Sequence, residues 1–341
     1  MILSLILVVA AGVTLGLFSR HTANAIAAAN PPVGAFVDVG GFDMHVVHVP
    51  RPAGADLPAL VFVHGASGNL LDQMVPFRKQ FEGRAEMLFI DRPGHGWSER
   101  GGRENDTPDG QARALANAMK AVGIERAIIV GHSFGGAIAA SFALEFPQMT
   151  AGLVFLAPAT HPWPGGVAWY YHVTAAPVVG WVFANTLAVP AGLALIDTAV
   201  TAVFAPDPAP TTYRADTAAD LVLRPAAFRA NATDVARLRP YVTRVAPRYT
   251  EIAVPTVVIT GDSDAIVLAH IHSAGLARDI AGAELVTVEG LGHKPDFAAT
   301  ALAVAAIEKV SGLPRDLAAM ARAMRDSTTA SAAPANTVAG D

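Results

Sequence analysis

Ser133 stands between Gly131 and Gly135 in "IIVGHSFGGAIAASFALEF", where an apolar run stops abruptly and an apolar helix-like stretch begins. A serine at a helix start can be a plain N-cap. An N-cap accounts for Ser133 but not for both flanking glycines. A sharp turn from strand to helix accounts for all three: the corner residue is strained, its side chain is thrust off the sheet, and the positions two before and two after it come too close to carry side chains. That is the G-x-S-x-G nucleophile elbow, and Gly136 and Ala137 would let its helix pack tightly on the sheet. Serine is a weak nucleophile and needs a base, which in turn needs an acid to orient it.

The chain offers both further on. His293 lies in "TVEGLGHKPDF", on a Gly-rich loop after an apolar strand pattern. A surface histidine is the plain alternative there. Two carboxylates, Asp262 and Asp264, follow the strand "VVITG". Either could merely cap a turn on Gly261. Asp264 opens the next helical pattern and is the preferred acid, with Asp262 in reserve. His132 adjoins Ser133 and should point into packing. His64, His95, His161 and His172 precede any acid that could serve in the order Ser, Asp, His. An oxyanion needs two backbone N–H donors. Phe134, after the serine, should give one, and Ala66, in the "HGASGN" loop, the other.

These residues need a scaffold that brings strand ends together. "GAFVDV" and "FDMHVVHV" read as strands around Gly40–Gly41, and "PALVFVHG", "EMLFIDRPGHG", "RAIIVGHS", "GLVFLAP", "PTVVITG" and "AELVTVEG" as further strands. Helical patterns alternate with them; in "TPDGQARALANAMKAVGI" Thr107 can cap, Pro108 fits the first turn and Gly123 can end the helix. The alternation predicts a mostly parallel sheet covered on both faces. It breaks over 161–247, which reads as an inserted helical cap. Residues 31–160 and 248–313 are then the core, 1–30 an apolar leader, and 314–341 a helix to Arg325 followed by a disordered tail.

Composition narrows the function classes. The 341 residues carry a formal net charge of −5, which gives no basic footprint for nucleic acid. The absence of Cys excludes disulfides, Cys-ligated zinc and a cysteine nucleophile. Apolar residues make up 52%, and mean hydropathy is +0.39. Part of this excess is the uncharged run Ile2–Phe18, read as an uncleaved membrane anchor, with a cleaved signal peptide and a secreted product as the alternative. The anchored domain is expected in the periplasm or outside the cell, although Arg20 directly after the run argues for the opposite orientation. The rest lies in the cap. No Asp, Glu, Lys or Arg occurs from Phe146 to Ile196, while Trp163, Trp169 and Trp181 do. Those tryptophans are expected to bind lipophilic substrate, and the cap's apolar face either to meet lipid or to be buried against the core or a second subunit.

"VHGASGN", "DRPGHGWS", "GHSFGG", "GDSDAIV" and "GLGH" resemble, in order, the motifs of the α/β-hydrolase fold family in its serine esterase- and lipase-like branch. The resemblance runs from about Val37 to Val310. It implies an eight-stranded sheet, a Ser133–Asp264–His293 triad, and a structural loop at Asp91–Ser98 that leaves His95 non-catalytic. Related epoxide hydrolases and haloalkane dehalogenases carry aspartate at the elbow, so Ser133 argues against both chemistries. The expected activity is hydrolysis of a small-molecule ester without metal or cofactor. The rivals are a C–C bond hydrolase, lactonase, aminopeptidase or cofactor-free perhydrolase using the same triad, and a hydrolase-fold binding protein without turnover.

Overall fold

The computed structural model describes residues 1–332, with the side chains of Val8 and of 325–332 excepted. Eight strands form one sheet: β1 (Ala35–Asp38), β2 (Asp43–Val49), β3 (Ala59–Val63), β4 (Met87–Ile90), β5 (Ala127–His132), β6 (Thr150–Leu156), β7 (Thr256–Gly261) and β8 (Glu284–Val288). Their order is β1-β2-β4-β3-β5-β6-β7-β8. β2 pairs antiparallel with both β1 and β4, and the remaining strands are parallel.

The short apolar runs become strands because both faces of the sheet are covered. Along β3, Val61 and Val63 enter one core while Leu60 and Phe62 enter the other; along β5, Ile129 opposes Ile128 and Val130 in the same way. Successive side chains alternate faces, so a strand buried on both sides must be apolar throughout. Ala112 and Leu115 of the helix Pro108–Ala121 and Ile138 of Phe134–Glu145 fill the first core. Phe77 and Phe81 of Leu70–Phe81 and Ile307 of Thr300–Val310 fill the second.

Among the described residues no strand interrupts the chain between β6 and β7. That stretch holds the helices Trp169–Ala175, Pro177–Thr186, Ala188–Phe204, Tyr213–Asp216 and Pro225–Val245. The first helix runs from Ile2 to Ala29, well past Phe18.

Two expectations need correction. Thr107 occupies the N-cap position, but its hydroxyl donates to Asp109 at 2.6 Å instead of capping the backbone. The last helix, Leu317–Ala332, continues past Arg325, because small Ser, Thr and Ala residues do not stop a helix. Residues 333–341 of the expected tail lie outside the described residues.

Candidate active site

β5 passes into the helix Phe134–Glu145 through Ser133, whose φ of 51° and ψ of −117° lie where an L residue is strained. The surroundings hold it there. The Ser133 N–H donates to the Leu156 carbonyl at 2.9 Å, and its own carbonyl accepts from Gly136 and Ala159. A Cβ on Gly131 would stand 2.5 Å from the Gly135 carbonyl oxygen and one on Gly135 2.3 Å from the Val63 carbonyl oxygen, so neither position has room for a side chain. The hydroxyl is thereby placed at the carboxyl end of a central strand, where ligand crevices of open α/β sheets occur.

His293 follows β8 and Asp264 follows β7, and both reach that point. His293 Nε2 lies 3.0 Å from Ser133 Oγ, and His293 Nδ1 lies 2.7 Å from Asp264 Oδ2. The other Asp264 oxygen accepts the N–H groups of Ile266 and Val267 at 2.8 and 2.9 Å. Burial alone would raise the Asp264 pKa, but the His293 contact and these two donors outweigh it and lower it. Asp264 is therefore a fixed, buried anion. Asp262 is exposed and accepts from Gly290 N–H and the Ser263 hydroxyl, a turn role that leaves it away from His293.

The loop after β3 lies against the elbow: a Cβ on Gly65 would meet Ser133 Cβ at 3.1 Å. Among the described residues, neither the Ala66 nor the Phe134 backbone N–H donates to another protein group. The direction of the Ala66 N–H is set from behind. The Gly65 carbonyl accepts from His64 Nδ1 at 2.8 Å and from the Arg92 guanidinium at 3.2 Å. In a trans peptide the following N–H must point the opposite way. His64 can donate there because its Nε2 accepts from the Arg92 N–H, which fixes the neutral tautomer. Burial, then the positive Arg92, pushes the His64 pKa well down.

Arg92 is itself buried. It pairs with Asp234 of the helix Pro225–Val245 at 2.9 Å, bonds Gln111, and lies 4.4 Å over the Phe134 ring. Asn231 of the same helix bonds Ser67 twice, at 2.7 and 3.0 Å. The helical insertion thus reaches the loop after β3 directly.

A second buried group was not found from sequence. Lys294 Nζ contacts both Asp72 oxygens at 2.9 and 3.0 Å and Asp296 at 2.9 Å, with Phe297, Tyr213 and Phe204 rings around it. Tyr213 donates to Asp72. Burial opposes the ionised Asp72, yet Lys294 lowers its pKa to about 2. His132 Nε2 donates to the His293 carbonyl at 3.0 Å, and burial drives the His132 pKa down to about 4. Asp72, His132 and Asp296 offer ligand atoms within 4.8 Å of one another, as a metal site would, but both carboxylates already have their cation in Lys294. The only sequence hint was a Lys and an Asp crowded next to His293 in "GHKPDF".

Two of the three tryptophans face outward. Trp169 and Trp181 are 68% and 57% exposed, and Trp163 packs beside His272 with a ring separation of 5.6 Å. Apolar character had suggested a pocket lining, but it does not tell which way a helix face turns.

A model of the α/β-hydrolase fold matches residues 58–295. A 2-hydroxy-6-oxononadienedioate/2-hydroxy-6-oxononatrienedioate hydrolase from Paraburkholderia phymatum is 32% identical over 36% of this chain and 42% of its own. The match thus spans about two fifths of that curated relative. Among solved structures, the enol-lactonase of Burkholderia xenovorans superposes with a TM-score of 0.62 at 21% identity, over 81% of this chain and 99% of that one. A carboxylesterase from Bacillus subtilis gives 0.63 at 14% identity, over 88% and 100%. These structural likenesses concern the fold. Together with the sheet order and the length of the family match, they mean that this chain belongs to the α/β-hydrolase family.

Proposed function

We propose that the chain is a serine hydrolase that cleaves lipophilic carboxylic esters through an acyl-enzyme. The observation that carries this reading is the continuous hydrogen-bonded line from Ser133 through His293 to Asp264, at 3.0 and 2.7 Å. Asp264 accepts the Nδ1 proton of His293 and leaves Nε2 free to take the Ser133 proton as Oγ attacks the ester carbonyl. The tetrahedral oxyanion is held by the N–H groups of Ala66 and Phe134. Protonated His293 then gives its proton to the departing alcohol. Water, deprotonated by His293, attacks the acyl-enzyme and releases the acid.

The uncharged stretch Phe146–Ile196 favours an ester over a dioate such as the Paraburkholderia relative's name describes; the insertion's arginines, from Arg214 on, are the groups that could hold a second carboxylate. That relative and the enol-lactonase nevertheless make C–C bond or lactone cleavage the second reading. A panel of 4-nitrophenyl esters, lactones and vinylogous diketones tests it. The expected result is an ester burst stoichiometric with enzyme and a preference for medium or long acyl chains over acetate. Turnover of lactones or diketones alone would replace the ester reading.

Ile2–Phe18 is part of the same proposal, as a retained membrane segment. The helix has the length and hydropathy of a span, and its second half is docked on the protein: Ile26 is buried, and the Asn30 carbonyl accepts from Trp97 Nε1. Cell fractionation with N-terminal sequencing tests it. A soluble product beginning near Asn24 or Ile26 would mean a cleaved signal and a secreted enzyme.

A further inference from the structure

The helix Ile2–Ala29 changes character at Ser19. Before it, large side chains such as Leu3, Leu7 and Leu17 stand mostly exposed. From Ser19 onward it is docked. Ser19 is buried and its hydroxyl donates to the Thr186 carbonyl at 3.1 Å; Ile26 packs with Ile196, Leu221 and Leu223. Thr186 ends the helix Pro177–Thr186, and after Leu187 the helix Ala188–Phe204 leaves at 67° to it. The N-terminal helix is therefore seated on the vertex of a bent helix pair.

That seat fixes a height. The first charged side chain of the helix is Arg20, one position past the docking serine. Ile2–Phe18 covers about 26 Å at 1.5 Å per residue, against about 30 Å of bilayer hydrocarbon. A run this short has no length to spare. If it spans, the polar boundary falls at Ser19–Arg20, level with the vertex. The vertex has the matching surface: Val178, Val179, Trp181, Val182 and Leu187 are exposed, within a stretch free of Asp, Glu, Lys and Arg. Charge returns at the far end of the first helix, where Arg229 donates to the Pro177 carbonyl, and midway along the second, where exposed Asp197 pairs with Arg214 at 2.9 Å.

The geometry points to bilayer lipid as the occupant of this face: the bent pair dips into the membrane beside the N-terminal helix, with Trp181 and Leu187 among the lipids. The inference rests on the proposed membrane role of Ile2–Phe18. Lipid fits better than a second copy, because the face is continuous with the apolar helix and lies at its membrane end. It also bears on the site. The helix that starts at the vertex ends at Phe204, which packs on Phe297 at 5.7 Å, and Asp207 just beyond accepts from the Gly292 N–H at 2.7 Å. One helix thus joins the lipid contact to the His293 loop.

The chain has no Cys, so single cysteines can be introduced and spin-labelled in the full-length protein. Val182→Cys and Leu187→Cys report on the vertex, Leu7→Cys on the anchor, and exposed Lys120→Cys on water. In phosphatidylcholine vesicles, power-saturation spectra give the accessibility of each label to oxygen, which concentrates in lipid, and to a water-soluble nickel chelate. The expected result is oxygen-dominated labels at 7, 182 and 187 and a nickel-dominated label at 120. A lipid-like label at 7 with water-like labels at 182 and 187 would overturn the vertex inference and leave the anchor intact. Water-like labels at all positions would overturn both. Labels at 182 and 187 shielded from both reagents, with dipolar broadening between copies, would assign the face to self-association and overturn the lipid occupant.

Discussion

Replacing Lys294 by Met should destabilise the protein in a pH-dependent way. Lys294 is buried and contacts three carboxylate oxygens at 2.9–3.0 Å. Without the ammonium, Asp72 and Asp296 face each other with ligand oxygens within 4.8 Å. Two like charges at that separation repel by about 3 kcal/mol at an effective dielectric constant near 20. That agrees with the roughly 3–5 kcal/mol lost when one partner of a buried ion pair is removed. At about 2 °C per kcal/mol for a domain of this size, the melting temperature should fall by about 6–10 °C at pH 7. The sign of the pH effect follows from linkage. In the wild type, Asp72 is held at about 2 and stays ionised at pH 5. In the variant, repulsion raises one carboxyl above its unfolded value, so the folded state binds the extra proton and gains stability as pH falls. The deficit against wild type should therefore narrow between pH 7 and pH 5. Thermal unfolding of the full chain in detergent micelles, followed by tryptophan fluorescence, measures both. A shift below about 2 °C, the equivalent of roughly 1 kcal/mol, or a deficit unchanged by pH would refute the reasoning.

Asp264→Asn should lower kcat by about 10⁴-fold through the wrong His293 tautomer, while Asp262→Asn leaves turnover near wild type; steady-state kinetics on one ester compares them, and the reverse order would reassign the acid. Gly65→Ala places a methyl 3.1 Å from Ser133 Cβ and 3.0 Å from His132 Nδ1, which should push the Ala66 N–H off its target. A loss of about 10²–10³ in kcat with an unchanged circular dichroism spectrum is expected, and full activity would remove Ala66 from the oxyanion site. His132 and His272 are both held at about 4 by burial, so the unfolded chain binds more protons between pH 6.5 and 4. Each should cost stability on acidification through that window, up to about 3 kcal/mol, with depressed Asp72 and Asp264 adding loss only below it. Urea midpoints measured against pH check this, and a flat profile from 6.5 to 4.5 would contradict it.

What could be read from the sequence is local. Ser133 with its two glycines, Gly123 at a helix end and the apolar runs of β3 to β7 each carry their reason within a few residues. The hydrogen-bonded arrangement of Ser133, His293 and Asp264 was legible because each residue follows a strand that announces itself. The supports were not, because their partners are far apart in the chain: Asp72 and Lys294 are separated by 222 positions, Arg92 and Asp234 by 142. No periodicity signals such a meeting. Direction was also hidden. A helix such as Pro177–Thr186 is apolar nearly all round, so its pattern does not show which side is covered, and Trp169 and Trp181 proved to face outward.

The central claim is that Ser133 is activated by His293 and Asp264. Labelling the full-length protein with a fluorophosphonate, followed by peptide mass spectrometry, tests it without knowledge of the substrate. The account predicts one adduct, on Ser133, formed rapidly in the wild type and far more slowly in His293→Ala. No adduct, an adduct on another serine, or equal rates in the two proteins would contradict it.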